Sequence, residues 1–300
     1  MADHPLEGTQ VRTVHPSGWS PAEEALHGIQ REREMKAAEM FDLKGRVAMV
    51  TGAGQGVGRG IALTLAANGG AIVVNDYFAD RAEKVAAEVR ELGAQACAIT
   101  CDVGDLDEVR KAVARASAAL GPIDILVNNA GNAGPGPYPA ELPLFWQTDP
   151  ASWQRFFRVN TFGVMNCCHA VLPSMVERGY GRVVTIVSDA GRNLEARQAD
   201  YAAAKAGAAG FMRALAADSA RFGITANSIS ISSIQPQMPP EELEQYLKTR
   251  QATPQFARYA IRRLGVPEDI VGAVLLLCSD AGSWITGQTY PVNGGYTCAL

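Results

Sequence analysis

The amino-acid sequence predicts an α/β fold, a parallel sheet with helices packed on both faces. Three observations predict it. From Gly45 onward, short apolar runs alternate with stretches of helical period. The runs are continuously apolar, as strands covered on both faces are, rather than alternating apolar and polar. The first run opens directly into a glycine-rich turn and then a helix. Strands that each lead into a helix cross over before they pair, so neighbours lie parallel.

Taken in order, Val47-Ala48-Met49-Val50 is the first expected strand, with the glycine turn after it and a helix from Arg59. Ala71 to Val74 is the second strand and runs on into Asn75-Asp76. A helical pattern over Arg81 to Leu92 separates it from a third, Ala96 to Ile99. Leu106 to Leu120 reads as the next helix, and Ile123 to Val127 as the fourth strand. Arg182 to Val187 is the fifth strand, and Ile224 to Ile231 a less continuous sixth. Residues 1–40 differ: Met1 to Ser20 is polar and irregular, and Pro21 opens an expected helix over Ala22 to Met40. The expected organisation is therefore an N-terminal arm and helix, 1–40, followed by one domain, 41–300.

Composition narrows the function. Of 300 residues, 47% are apolar, enough for the core of one large domain. A formal net charge of −4 provides no basic field for nucleic acid, so no nucleic-acid partner is expected. No apolar run approaches ~18 residues, so no membrane span is expected. Six scattered cysteines without a C-x-x-C pair suit reduced thiols, and a cytoplasmic protein is the expectation. His4, His15 and His27 lie in the arm, leaving His169 as the one histidine of the body. Cys167-Cys168-His169 are consecutive, and one helix cannot aim three consecutive side chains at one ion. No metal is expected.

Two segments carry chemistry. Thr51-Gly52-Ala53-Gly54-Gln55-Gly56-Val57-Gly58 stands between a strand and a helix, where glycines let the backbone approach a diphosphate. Asp76 closes the second strand, placed to accept hydrogen bonds from both ribose hydroxyls and to repel a 2′-phosphate, which favours NAD over NADP. Downstream, Tyr201 and Lys205 are spaced i, i+4 and share a helix face, with Ser188 thirteen positions before the tyrosine. An ammonium beside a phenol favours the phenolate, and a serine hydroxyl can polarise an alcohol or carbonyl oxygen.

Together these motifs resemble the short-chain dehydrogenase/reductase family in its single-domain form, over about Leu43 to the C-terminus. Thr51-Gly52-x-x-x-Gly56-x-Gly58 is similar to the family's nucleotide loop, implying cofactor contacts from Gly52, Gln55, Gly56, Val57 and Gly58. Cys101-Asp102-Val103 is similar to its adenine-contacting turn, with Asp102 on the adenine amino group. Asn128-Asn129-Ala130-Gly131 resembles the segment lining the ribose, with Asn129 nearest the cofactor. Arg262-Arg263-Leu264-Gly265 and Trp284-Ile285-Thr286-Gly287-Gln288 match segments after the substrate loop. The resemblance implies a Rossmann-type fold of about seven strands, the seventh near Thr289 to Val292, and a homotetramer or homodimer. It also implies a four-residue catalytic set. Tyr201 is the general acid/base, Lys205 lowers its pKa and binds the nicotinamide ribose, Ser188 orients the substrate oxygen, and Asn160 holds a relaying water.

The chain departs from that pattern after the sixth strand. Ile231-Ser232 stand where the family has Pro-Gly, and Pro236 where it has a threonine that bonds the nicotinamide carboxamide. Ile234 can still offer its backbone, but Pro236 has neither hydroxyl nor N–H, so one cofactor hydrogen bond is expected to be missing. The segment 235–261 is the expected substrate loop, with Glu241 to Arg250 as a lid helix. Asn132 to Trp153, with Pro135, Pro137, Tyr138, Pro139, Leu144, Phe145 and Trp146, is a second expected wall beside Ala190-Gly191-Arg192. Such walls suggest a small-molecule substrate that is a bulky hydrophobic secondary alcohol or ketone, oxidised with NAD. Arg192 and Arg197 keep open a 3-hydroxyacyl thioester, and Pro236 keeps open a non-catalytic NAD-binding scaffold.

Overall fold

The computed structural model describes residues 36–131 and 142–298. The chain divides into two compact units, Met1–Glu39 and Met40–Leu300. Of the expected helix Ala22 to Met40, the described residues contain a helical turn at Ala37–Met40. The rest of that helix and the arm before it lie outside the described residues, as do the prolines at 135, 137 and 139 and Tyr138.

The second unit is built on seven parallel strands: β1 Val47–Val50, β2 Ala71–Asp76, β3 Ala96–Thr100, β4 Ile125–Asn128, β5 Gly181–Ser188, β6 Ile224–Ile231 and β7 Thr289–Val292. Their order in the sheet is β3-β2-β1-β4-β5-β6-β7. The direction of winding reverses between β1 and β4, which pair from Ala48↔Ile125 to Val50↔Val127. At such a reversal the loops leaving the two strands diverge, opening a crevice beyond the strands' C-terminal ends.

The connecting helices are α1 Gly56–Ala67, α2 Ala79–Glu91, α3 Leu106–Leu120, α4 Pro150–Phe157, α5 Val164–Arg178, α6 Ala199–Ser219, α7 Pro240–Gln251 and α8 Pro267–Cys278. Side chains alternate across a strand, so β1 feeds two cores. Val47 and Met49 join the layer under α3, α5 and α6, with Val109, Val171 and Met212. Ala48 and Val50 join the opposite layer under α1, α2 and α8, with Ile61, Val85 and Val274. This two-sided burial is why the strands read as continuous apolar runs.

Several boundaries differ from the sequence reading for local reasons. The helix expected from Arg59 starts at Gly56, so the last turn of the glycine loop is already helical. β4 starts two residues later than expected, and Asp124 just before it accepts the Val47 N–H at 3.0 Å through its carboxylate and pairs with Arg178. α3 begins where Asp105 caps it, accepting the N–H groups of Asp107 and Glu108. Between α4 and α5 the helix widens to a π-turn at Arg158–Gly163, which carries Asn160. Such single widened turns occur often at functional sites, because they re-aim one side chain. Among the described residues no helix is long and apolar enough to cross a membrane.

Candidate active site

The crevice at the β1/β4 reversal is a cleft of about 740 Å³. Its lining includes all the cofactor-contact residues expected from the sequence: Gly52, Gln55, Gly56, Val57, Gly58, Asp76, Asp102, Val103, Asn129, Tyr201, Lys205 and Ile234. At one end lies the N-terminus of α1. Gln55 occupies the N-cap position without a side-chain capping bond, and the first turn's N–H groups have no intrahelical partners. Gly56 has φ +55° with nothing within 4 Å of where a Cβ would stand, so this turn faces open space. Gly58 is the opposite case: a Cβ there would run into the Gly52 carbonyl and the Asn129 amide. An uncapped helix N-terminus facing an open cradle fits the diphosphate of a dinucleotide.

Asp76 ends β2 with its carboxylate held by two main-chain donors, Gly54 N–H at 2.9 Å and Phe78 N–H at 3.0 Å. Its orientation is thereby set before any ligand arrives. Asp102 accepts the Gly104 N–H at 2.8 Å and pairs with Arg158 at 2.7 Å. Asn129 donates to the carbonyls of Thr51 and Gly52, both at 3.0 Å, joining the loop after β4 to the glycine turn.

The other end of the cleft collects the proton-transfer candidates. Tyr201 and Lys205 both stand on α6 and both line the cleft. The Lys205 ammonium is buried, 6% exposed, and donates to the Ile186 carbonyl at 3.0 Å. Burial without a carboxylate partner depresses its pKa to about 8. Asn160 is fully buried, and its amide donates to the Phe156 carbonyl at 2.8 Å. Its oxygen and the Lys205 ammonium close on the same point: a Cβ at Gly131 would lie 2.8 Å from Asn160 Oδ1 and 2.7 Å from Lys205 Nζ. The Tyr201 ring meets Phe156 edge-on at 6.0 Å. Ser188 ends β5, one residue after Val187 of the cleft wall, and its hydroxyl accepts the Ala190 N–H at 3.2 Å. It is half-buried beside the cleft rather than among its lining residues.

The chain matches the enoyl-(acyl carrier protein) reductase family model over residues 52–297. It is 38% identical over 257 residues to the 7alpha-hydroxysteroid dehydrogenase of Escherichia coli strain K12, covering 84% of this chain and 94% of that one. Among solved structures it resembles a 7alpha-hydroxysteroid dehydrogenase complexed with NADH and 7-oxo glycochenodeoxycholic acid. That match has a TM-score of 0.77 at 36% identity, covering 87% of this chain and 98% of the other. A Burkholderia cenocepacia gluconate 5-dehydrogenase in complex with NADP and tartrate matches with the same TM-score at 33% identity, covering 88% and 100%. This chain belongs to the short-chain dehydrogenase/reductase family. As a member it is a nicotinamide-dependent oxidoreductase acting on CH–OH groups and their carbonyl counterparts.

Two expectations for this family member need correction. Phe145 and Trp146 do not wall the cleft. Phe145 stacks on Trp153 with ring centroids 5.1 Å apart, and Trp146 is 77% exposed. The Trp153 indole is fixed in turn by a 2.8 Å bond to Thr148, so this aromatic group packs on itself. Arg192 and Arg197 are likewise absent from the cleft lining, and Arg197, at φ +63°, donates to the Leu142 carbonyl at 2.7 Å. Arg81, on α2, lines the cleft instead, stacked 4.4 Å over the Phe78 ring beside Asp76. Arg59 instead pairs with Glu88 on α2, its Nε 2.7 Å from the carboxylate.

The sequence reading also missed residues grouped around Ser232 of the cleft. Ser232 lines the cleft, and its hydroxyl lies 2.6 Å from that of the buried Tyr259. The Tyr259 ring packs at a 40° tilt against that of Tyr296, whose hydroxyl donates to Glu195 at 2.7 Å. Burial and that carboxylate raise the Tyr296 pKa, so it stays a phenol. Arg250 of α7 reaches Ser233 Oγ at 3.3 Å, tying the lid helix to the same segment. The only sequence signal for this group was negative, the missing Pro-Gly.

Proposed function

We propose that this enzyme uses NAD to interconvert a bulky hydrophobic secondary alcohol and its ketone. The carrying observation is the Tyr201–Lys205 pair on one face of α6, opening into the cleft with the lysine buried behind it. NAD, when bound, supplies the hydride acceptor at its nicotinamide C4. Tyr201, as phenolate, takes the hydroxyl proton, and the Lys205 ammonium stabilises that phenolate. Ser188 orients the substrate oxygen and stabilises its developing negative charge. Asn160, closing on Gly131 with Lys205, holds the water through which the proton leaves.

The geometry of Asp76 supports NAD over NADP, because a fixed carboxylate at the end of β2 accepts ribose hydroxyls and repels a phosphate. The aliphatic wall of Val187, Ile231 and Ile234 around Tyr201 supports a hydrophobic substrate skeleton, alicyclic, terpenoid or steroid-like. With Arg192 and Arg197 outside the cleft, an anionic thioester finds less support. The reading extends to a cytoplasmic homotetramer or homodimer formed by the 41–300 domain, and exposed Phe162 and Trp284 offer apolar surface for a second copy.

NAD-coupled absorbance with a panel of cyclic secondary alcohols tests the proposal. Tyr201→Phe should lower turnover by roughly 10²–10⁴-fold, the usual contribution of a positioned acid/base. Dehydrogenation unaffected by that change would overturn the mechanism, and NADH binding without turnover on any substrate would point to a scaffold.

A further inference from the structure

Beside Ile231-Ser232 and Pro236, where a cofactor hydrogen bond is expected to be missing, stands the buried Tyr259. Tyr259 is 3% exposed, and its phenol oxygen has two partners: it accepts the Ser233 N–H at 3.1 Å and lies 2.6 Å from Ser232 Oγ. The Ser233 amide can only donate, so the phenol's own proton has one acceptor in reach, the serine oxygen. If Ser232 donated instead, a buried phenol proton would have no acceptor, an arrangement native structures avoid. The network therefore orients Tyr259 as donor and Ser232 as acceptor. The proton of Ser232 is then left for another partner, and Ser232 lines the cleft together with Tyr201, Lys205 and Ile231.

The adjoining backbone points the same way. Ile234 forms an isolated parallel bridge with Gly265, made through the Ser233 carbonyl at 3.2 Å and the Gln235 N–H at 2.7 Å. That bridge uses the groups on either side of Ile234, so its own N–H and carbonyl face the opposite way, and Ile234 also lines the cleft. Two donors, the Ser232 hydroxyl and the Ile234 N–H, thus stand two residues apart at the Tyr201–Lys205 end.

From this arrangement we infer that Ser232, aimed by Tyr259, donates a hydrogen bond to the carboxamide oxygen of the nicotinamide, the contact that Pro236 cannot make. Tyr259 acts through Ser232 and is a positioning residue. The inference rests on the NAD reading above and adds to it a cofactor-binding residue particular to this chain. A Pro-Gly pair at Ile231-Ser232 would have no hydroxyl for Tyr259 to aim.

The test is calorimetric binding, without substrate, of NADH and of ADP-ribose, which lacks the nicotinamide. Ser232→Ala should weaken NADH binding about tenfold, the scale of one hydrogen bond to a neutral partner, and leave ADP-ribose within twofold. Ser232→Thr, which keeps the hydroxyl, should restore most of the NADH affinity. Tyr259→Phe should weaken NADH by a smaller factor, again sparing ADP-ribose. NADH affinity unchanged in Ser232→Ala would overturn the inference, as would equal loss for both nucleotides, which would mark a structural role. A wild-type protein that binds ADP-ribose but gains nothing from the nicotinamide would overturn it too, while leaving the adenosine site intact. A wild type that binds neither nucleotide would overturn the NAD reading itself.

Discussion

Lys205 donates to the main-chain carbonyl of Ile186 at 3.0 Å, so its ammonium is held by a strand of the central sheet and not by a carboxylate. A neutral partner orients the charge without neutralising it. The charge therefore remains available to Tyr201, one helical turn away on the same face of α6.

The first prediction concerns the pH profile. In the proposed mechanism Tyr201 and Lys205 act together, and burial depresses Lys205 to about 8. Alcohol oxidation needs a proton lost from the pair, so its rate should rise with pH through a limb near 8. Lys205→Met should move that limb toward the ordinary tyrosine value of about 10. Stopped-flow rates between pH 6 and 10, a range of roughly four units around that value, decide it. A limb that stays in place in the variant would remove Lys205 from the proton chemistry.

The second concerns stability. Lys205 has a folded pKa of about 8 against an unfolded value of 10.5, so burying its charge costs stability at every pH below 8. Between those values the unfolded chain binds more protons, and stability rises with pH. Lys205→Met should stabilise the cofactor-free protein by about 2 kcal/mol at pH 7, after allowing for the lost bond to Ile186. That advantage should shrink as pH rises through 8 toward 10.5. Urea unfolding at several pH values reads the difference.

The third concerns the choice of cofactor. Asp76 and Arg81 line the same end of the cleft, an anion that repels a 2′-phosphate and a cation that attracts it. Asp76→Ala leaves the cation alone, and the ratio of kcat/KM for NADP over NAD should rise at least about tenfold. Arg81→Ala in the otherwise unchanged enzyme should alter NAD kcat/KM by less than about threefold. Wild-type preference for NADPH would contradict the assignment of Asp76.

The fourth concerns Asp189, the residue after Ser188. Its buried carboxylate accepts from Ser230 at 2.7 Å, Asn293 at 2.8 Å and Thr297 at 3.1 Å. It thereby joins the ends of β5 and β6 to the segment after β7. Asp189→Ala takes the acceptor from the Ser230 and Thr297 hydroxyls and one of the acceptors from the Asn293 amide, which also donates to Thr297, and should cost about 2–4 kcal/mol in denaturant unfolding. Asp189→Asn, which keeps one acceptor oxygen, should cost less.

The fifth follows from the misplaced aromatic wall. Trp146→Ala removes a side chain that is 77% exposed and outside the cleft, so KM for a hydrophobic substrate should change by less than about twofold. Ile234→Ala, inside the cleft, should raise it.

Much of the fold and site was legible beforehand because it rests on contiguous patterns. β6 at Ile224–Ile231 matches its expected span, as does α3 at Leu106–Leu120, while β7 at Thr289–Val292 falls where the family resemblance implied it. The residues expected to touch the cofactor line one cleft because the glycine turn and Asp76 sit at the ends of neighbouring strands. The wall formed by Phe145 and Trp146 was misread because apolar composition does not say which way a loop folds. Phe145 found Trp153 on its own segment. The place of Arg81 in the cleft was not legible, because a charged residue on a helix surface carries no local sign that a cleft lies above it.

The sequence by itself determined the parallel α/β sheet, the glycine turn and the Tyr201–Lys205 spacing, since each follows from periodicity or from residues within one helical turn of each other. Only the tertiary structure decided the partners of Ser232 and Asp189. Tyr259 lies 27 residues from Ser232, and Thr297 lies 108 from Asp189. Those contacts exist because β5, β6 and β7 pair side by side and bring their C-terminal ends together. Strand order and loop path set such meetings, and no local pattern encodes either one.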